Sequence, residues 1–465
     1  MIVNQQRTDM SKAKEFLKAS EKKSFDLKHR NTIRFNMAKY NIAFEKGLSQ
    51  FSDLEGLKQK VGSIKRKALQ DWDQYLLQFE SQFTKNGGQV FWAETSEDAV
   101  KETLRIIDLH KGKTLVKSKS MTTEEIELND ALEAHGIEVV ETDLGEYIVQ
   151  VAGEKPYHIV TPAMHKSKRD VAELFHKEFN MPLESTPEEM TQFVREKLRK
   201  KFTSADIGIT GGNFLVADVG GVALTENEGN GLMTTAFPKI HIAIVGIEKI
   251  IPELKDLHYL WPILAAHGTG QNITSYSSVF TGAKQSEKES GPEKMYVILL
   301  DNGRTDLFAE KEQSRALNCI RCGACLNVCP IYKNIGGYTY ESTYSGPIGS
   351  VITPHYKGFG VFKHLSFAST LCGKCTEVCP VKIDLHDLLL YNRKKAVESS
   401  SNFMWDMAMY GYKSVMNKRS YLDLINGKLA NSGSQFFMSS NWGKYKKMPN
   451  VADQSFSKQY RRKDE

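Results

Sequence analysis

The placement of its thiols restricts this chain more than any other feature. All seven cysteines of its 465 residues fall in two short segments, CIRCGACLNVCP from Cys319 to Pro330 and CGKCTEVCP from Cys372 to Pro380. The first reads C-x2-C-x2-C-x3-C-P, and the second repeats it one cysteine short. Aligned on their shared C-G-x-C-x3-C-P, the segments put Ser369 where the first has Cys319. An odd number of thiols cannot pair completely, and close spacing of this kind points to metal ligation.

Thiolates at x2 spacing reach the corners of one iron–sulfur cubane because the backbone between them turns tightly, helped here by Gly323. A cysteine at x3 before proline points away from that turn and serves a second cluster. By this logic Cys319, Cys322, Cys325 and Cys379 hold one 4Fe-4S cluster, and Cys329, Cys372 and Cys375 hold another. Three outcomes are open at the odd corner: Ser369 supplies an oxygen ligand, the corner is empty in a 3Fe-4S cluster, or an open iron binds water or substrate. Paired C-x2-C knuckles also make zinc sites, but three cysteines within seven residues followed by C-P fit one tetrahedral zinc poorly. Electron transfer is the chemistry these motifs predict, and they name no substrate.

The rest of the composition narrows the class. A net charge of +6 spread among interleaved acids offers no concentrated basic stripe, so nucleic-acid binding is not expected. The longest apolar runs, such as IHIAIVGI from Ile240 to Ile247, are far shorter than the roughly 20 residues that span a bilayer. The start MIVNQQRTDMSKAKEF lacks an apolar signal region, and a cytoplasmic protein is expected.

In chain order, residues Ser11 to Phe83 read as helical, with Leu69, Trp72, Leu76, Phe79 and Phe83 forming one apolar stripe. Asn86-Gly87-Gly88 stops that helix. Strand-like runs follow at Val90 to Ala93, Thr114 to Val116, Val139-Val140 and His158 to Val160, separated by amphipathic segments. Thr122 and Glu125 suggest a capping box for a helix ending near Gly136, and Thr186, Pro187 and Glu189 suggest another helix start. Alternation of this kind predicts a mainly parallel sheet covered on both faces. IGITGGNFLVADVGGVALTENEGNG then packs seven glycines among short apolar runs, suited either to tight turns or to a pocket for an anionic or hydroxylated small molecule. It contains no G-x-G-x-x-G or P-loop, so a dinucleotide or ATP is not indicated. MYVILLDNG, from Met295, is read as the last strand, and a helix from Leu307 to Ala316 leads into the cysteines. Residues Ile331 to Thr370, rich in glycine and tyrosine, read as loops wrapping the clusters, and IDLHDLLLYNRKK as a sealing helix. The tail reads as helical and polar.

Three stretches, VKSKSMTTEEIELNDALEAHGIEVVETDLGEYIVQ, GITGGNFLVADVGGVALTENEGN with VGIEKIIP, and CIRCGACLNVCPIY with LCGKCTEVCPVKID, closely resemble the lactate utilisation iron–sulfur protein B family. The resemblance runs from about Arg34 to Lys395. It implies an α/β domain related to the sugar-phosphate isomerase and CoA-transferase group, preceded by helices and followed by a mainly α-helical, ferredoxin-like two-cluster domain. The expected boundaries are 1–65 for the N-terminal helices, 66–303 for the α/β domain, 304–395 for the cluster domain and 396–465 for the tail. The resemblance also implies two companion proteins, oxidation of L-lactate to pyruvate, and the cysteine sets that spacing gives. Lys117, Lys119, Ser120, Asn213, Glu226, Asn227 and Glu228 are the candidates to meet a small hydroxy acid, and no catalytic residue is singled out. No flavin or nicotinamide motif is visible, so the immediate electron acceptor is expected on a partner. Two other readings stand beside the oxidoreductase: a relay module without a substrate site, and a non-redox Lewis-acid enzyme using an open iron.

Overall fold

Four helices open the chain, and aspartates set their breaks. In this computed structural model, which describes residues 2–399, 403–424, 426–442 and 446–461, they span Ile2–Ser24, Leu27–Leu48, Leu54–Gln70 and Trp72–Lys85. Asp26 and Asp53 cap the second and third by accepting the amides of His29 and Gly56, so neither proline nor glycine is needed to interrupt the run. The expected single stripe is therefore split at Asp71. Leu69 packs with the cysteine region, whereas Leu76, Phe79 and Phe83 pack on the sheet that follows.

Ten strands then form two sheets: β1 (Gln89–Ala93), β2 (Thr114–Lys117), β3 (Glu138–Glu141), β4 (Ile207–Thr210), β5 (Phe214–Val216), β6 (Gly221–Glu226), β7 (Ile240–Gly246), β8 (Ile250–Ile251), β9 (Tyr276–Phe280) and β10 (Lys294–Leu300). Six make an all-parallel sheet in the order β1-β10-β7-β4-β2-β3. Its central strands are buried on both faces, as parallel sheets require. In β7, Ile240, Ile242 and Ile244 enter one core with Ile298 and Ile107, while Ala243 and Val245 enter another with Val297, Phe79 and Phe83. Burial of each such aliphatic or aromatic side chain is worth about 1.5–3 kcal/mol. The glycine-rich stretch supplies the hairpin of β5 and β6, the central pair of the smaller sheet β8-β5-β6-β9.

Several local expectations need correction. Ser120, not Thr122, caps the short helix Met121–Glu125, because its hydroxyl accepts the Thr123 amide; a left-handed Glu127 then separates this helix from Leu128–Ala134. His158 to Val160 is not a strand: the His158 imidazole accepts the amides of Val160 and Thr161 and folds the segment into a bend. Before the cysteines the chain forms a short helix at Arg304–Ala309 and a 3-10 turn at Gln313–Asn318 in place of one continuous helix. The supposed loop region contains the helix Gly346–Tyr356, whose Ile348, Val351 and Ile352 are core residues; residues 346–354 are all buried, so no alternation of apolar and polar faces marks it in the sequence. The helix start at Thr186, Pro187 and Glu189 forms the expected capping box.

The chain divides into two compact units, 1–396 and 397–465. Within the second, helices Phe403–Met416, Arg419–Leu424, Gly427–Trp442 and Phe456–Arg461 are tied partly by paired hydrogen bonds between Asn431 and Val451.

Candidate metal centre and adjoining cavity

Each cysteine segment folds into the same turn. Arg321 and Leu371 both adopt left-handed backbone (φ 59° and 55°), followed by Gly323 and Gly373 (φ 77° and 78°) and by one-turn helices Ala324–Val328 and Lys374–Val378. In the first turn the Arg321 amide points at Cys319 Sγ, 3.4 Å away; in the second the Leu371 amide donates to Ser369 Oγ at 3.1 Å. Ser369 thus takes the position of Cys319 in space as well as in sequence.

The seven thiols are free, and five are buried; Cys319 is half-buried and Cys372 exposed. The thiols raise one another both within and across the two expected sets, since Cys325 feels Cys375 as well as Cys319 and Cys322. Burial and then Cys319 raise the thiols of Cys322 and Cys325, and burial pushes Cys379, which also feels Cys319, up to about 12. Burial likewise raises Cys329 and pushes Cys375 up to about 11, and each of these feels Cys372. Backbone amides point at the sulfurs: those of Ala324, Ile348 and Ile383 in the first set, and of Tyr332, Lys374 and Thr376 in the second. Thiols crowded in this way and turned toward N–H donors are a donor set that fits iron–sulfur chemistry, in which cations and amides stabilise sulfur charge.

Beside the first set lies a cavity of about 350 Å³. It opens where β2 and β4 part company: the chain leaves β2 toward β3 and leaves β4 toward β7, which is the switch point at which open α/β sheets bind ligands. Lys119 follows the end of β2, Asp143 the end of β3, and Asn213 the end of β4. Glu226, Asn227, Glu228, Arg321 and Cys322 also line it. Five of the seven substrate candidates therefore meet here.

Their polar atoms are unevenly committed. Glu226 accepts the amides of Gly231 and Leu232 at the start of helix Asn230–Ala236, Asn213 accepts the Thr225 amide, and Asn227 exchanges hydrogen bonds with Gln271. Glu228 is an exposed residue with one amide partner, Leu144, at 3.0 Å; the protein crowded around its carboxyl and the neighbouring Asp143 push it up to about 7. Lys119 donates to the Val160 carbonyl at 2.8 Å and lies 3.8 Å from Asp143. Lys117 and Ser120 do not line the cavity. Lys117 is fully buried between Glu141 (2.8 Å) and Glu124 (3.3 Å), and Ser120 is spent on its cap. Asp143 and Arg321 escaped the sequence reading, although both lie within motifs that it singled out.

Comparison with known proteins bears on both parts. Residues 76–300 match the LUD domain, and residues 315–383 match the 4Fe-4S dicluster domain. Lactate utilization protein B of Bacillus pumilus is 44% identical over 376 residues, 79% of each chain. The chain belongs to the lactate utilization protein B family. Other family members include the Bacillus licheniformis protein, 46% identical over 72% of this chain and 70% of that one, and the Bacillus cytotoxicus protein, 45% identical over 76% and 74%. A crystal structure of a duf162 family protein from Deinococcus radiodurans is matched over 50% of this chain and 98% of its own at 13% identity, with a TM-score of 0.28. The family match places iron–sulfur binding in the cysteine region. No helix among the described residues is long and apolar enough to cross a membrane.

Proposed function

We propose that this chain is an iron–sulfur oxidoreductase subunit that takes part in oxidising L-lactate to pyruvate and passes the electrons on through two clusters. The observation that carries this reading is the shared wall: a cavity with a neutral-range carboxyl at Glu228 adjoins Cys322 of the four-thiol set. The names of its relatives supply lactate. In the proposed ligand sets, Cys319, Cys322, Cys325 and Cys379 hold one 4Fe-4S cluster. Cys329, Cys372 and Cys375 hold the other, with Ser369 at its fourth corner; this second cluster is either a 3Fe-4S centre or one completed by a ligand other than cysteine.

Conversion of lactate to pyruvate breaks the O–H and C2–H bonds, forms a C=O bond, and releases two protons and two electrons. Glu228 is suited to take the hydroxyl proton, because a general base works best when its pKa lies near the working pH. Lys119, Asn213, Glu226 and Asn227 shape the rest of the cavity, the last three by holding its turns. Bound clusters supply one-electron steps, and the electrons leave to an acceptor on a companion protein. The relation of the α/β domain to the isomerase and CoA-transferase group, the boundaries 1–65, 66–303, 304–395 and 396–465, a helical ferredoxin-like character for the third of these, two companion proteins and a cytoplasmic location belong to the same proposal. The cavity adjoins the set with four thiols and not Ser369, which favours redox chemistry over Lewis-acid chemistry at an open iron.

The test is anaerobic reconstitution with the companion proteins, followed by metal analysis and lactate-dependent bleaching of the visible absorbance. Iron in place of zinc and bleaching by L-lactate are expected; a colourless zinc protein, or an iron protein indifferent to lactate in the complete complex, refutes the proposal. The Glu228 carboxyl is neutral below about pH 7 and charged above it. Bleaching should therefore accelerate as pH rises through that value, and Glu228→Gln should remove this step and slow the reaction about a hundredfold or more.

A further inference from the structure

Acids and bases balance almost one for one through residues 1–396, with 51 Lys and Arg against 50 Asp and Glu, and the balance breaks in the second compact unit. Residues 397–465 carry eleven basic side chains against six acidic ones, so five of the chain's six net positive charges fall in this short stretch. The same stretch holds eleven aromatic residues and six of the fifteen methionines. The tail expected to be polar is therefore cationic and apolar at once.

Apolar side chains in such number ordinarily make a core. Here they do not: among the residues of this unit whose burial is described, only Gly427 is buried. Asp406 and Lys413, seven residues apart, are the only charges on helix Phe403–Met416 and lie along one line of it. Apolar stripes at three- and four-residue spacing flank that line, Phe403, Met407 and Tyr410 on one side and Met409, Tyr412 and Met416 on the other, and all six are exposed, Phe403 and Tyr410 by 73% and 74%. Leu424, Leu429 and Phe456, on the other helices of the unit, are exposed as well. Cations stand among these side chains: Lys418 lies 5.3 Å from the centre of the Tyr421 ring and Arg419 5.7 Å from that of Phe456. Exposed apolar surface on this scale marks contact with something else.

The charge selects what that is. A second copy of the unit would set like charges against each other, and a nucleic acid would use the cations and rings but leave methionine and leucine in water. The surface of an anionic bilayer answers both features, since its headgroups attract Lys and Arg and the acyl boundary beneath them takes Phe, Tyr, Met and Leu. Lys413 has a stem long enough to keep its amine at the headgroups. No helix among the described residues can cross a bilayer, so such a contact lies on the surface.

We propose that residues 397–465 anchor the chain to anionic lipid bilayers: helix Phe403–Met416 lies in the headgroup plane with its line of charges toward water and its apolar stripes in the acyl boundary, and Lys413, Lys418 and Lys428 sit among the headgroups. This inference depends neither on the cavity as a substrate site nor on the cluster assignments.

The experiment sediments the full-length, anaerobically reconstituted protein with vesicles of equal parts phosphatidylglycerol and phosphatidylcholine, and with vesicles of phosphatidylcholine alone. Wild type should sediment with the mixed vesicles and much less with the neutral ones. Raising salt from about 0.1 M to about 1 M, which shortens the screening length from roughly 10 Å to 3 Å, should release most of it. Lys413→Gln, Lys418→Gln and Lys428→Gln together should weaken binding to the mixed vesicles about tenfold or more, and Phe403→Ser, Met407→Ser and Tyr410→Ser together should do the same. All six side chains are exposed, so iron content and far-ultraviolet circular dichroism should be unchanged in both variants. Should the serine variant lose helix, the glutamine variant decides the matter. Wild type that stays in the supernatant with the mixed vesicles, or binds neutral vesicles equally well, overturns the proposal. So does unchanged binding by both variants, which places the contact elsewhere on the chain. Wild type that ignores vesicles, paired with a serine variant that no longer binds the companion proteins, makes a protein the occupant of this surface and overturns the proposal as well.

Discussion

The two cysteine segments share one backbone and differ in almost everything around it. In the first, Gly323 faces Val160, His158 and Ile159, and Arg321 and the buried Lys65 and Lys249 gather near Cys319. Burial, and then the neighbouring cations, push Lys65 down to about 7 and Lys249 down to about 8. In the second, Gly373 has open space where a Cβ would go, Leu371 replaces the arginine, and Cys372 is exposed, its thiol held below the usual range chiefly by the Lys374 amide. A repeated turn sets where ligands stand, while neighbouring elements set dielectric, charge and access. Those are the levers that separate the potentials of otherwise similar clusters. The inward site adjoins a cavity and the outward one meets solvent, which gives the proposed relay a direction.

The largest expected break in this comparison comes from removing one thiol on each side. Cys325→Ser should abolish the first cluster and also destabilise the fold, because Cys325 belongs to the core that includes Ile348 and Leu365. Cys372→Ser should remove roughly half of the iron and leave the fold nearly intact, since each proposed cluster holds a similar share. Iron analysis with thermal unfolding separates the two, and equal destabilisation by both variants would erase the inward–outward distinction.

A smaller effect comes from the two glycines. At Gly373 an added Cβ meets nothing within 4 Å, so Gly373→Ala should cost only the left-handed backbone penalty, about 1–2 kcal/mol. At Gly323 the Cβ would lie 3.0 Å from Val160 Cγ2, and overpacking adds to the same penalty for a total of about 2–4 kcal/mol. Denaturant unfolding of the two variants measures the difference.

Much of this architecture is legible in local sequence. Near-continuous apolar runs mark β7 and β10, Thr186, Pro187 and Glu189 mark a helix start, and cysteine spacing marks the turns. What is not legible depends on partners distant in the chain. Lys117 reads as a strand-end cation ready for a substrate, yet Glu141, from the neighbouring strand, takes it. His158 to Val160 has strand propensity, but a histidine accepting its own following amides wins locally. The helix Gly346–Tyr356 looks polar and broken because its burial comes from surrounding elements and not from an amphipathic pattern. Arg321 lies in the most conspicuous motif of the chain, and nothing in its spacing says that its guanidinium stacks on Tyr344 and pairs at 3.6 Å with Glu248, a residue far away in sequence.

The subtlest variant acts at the one corner where the repeat fails. Ser369 is partly buried, its hydroxyl accepts the Leu371 amide, and its carbonyl accepts Arg393 at 2.9 Å, so the backbone is already held in the position that presents Cys319 in the first turn. Replacing oxygen with sulfur changes one atom in a pre-set turn, and Ser369→Cys should alter stability by less than about 1 kcal/mol. Its effect should instead be spectroscopic. A second site completed by a fourth thiolate should hold a stable four-iron cluster and change its EPR signal, with the first cluster's signal untouched. If iron content and the second signal are both unchanged, Ser369 is not at the cluster corner, and the likeness between the two turns ends at the backbone.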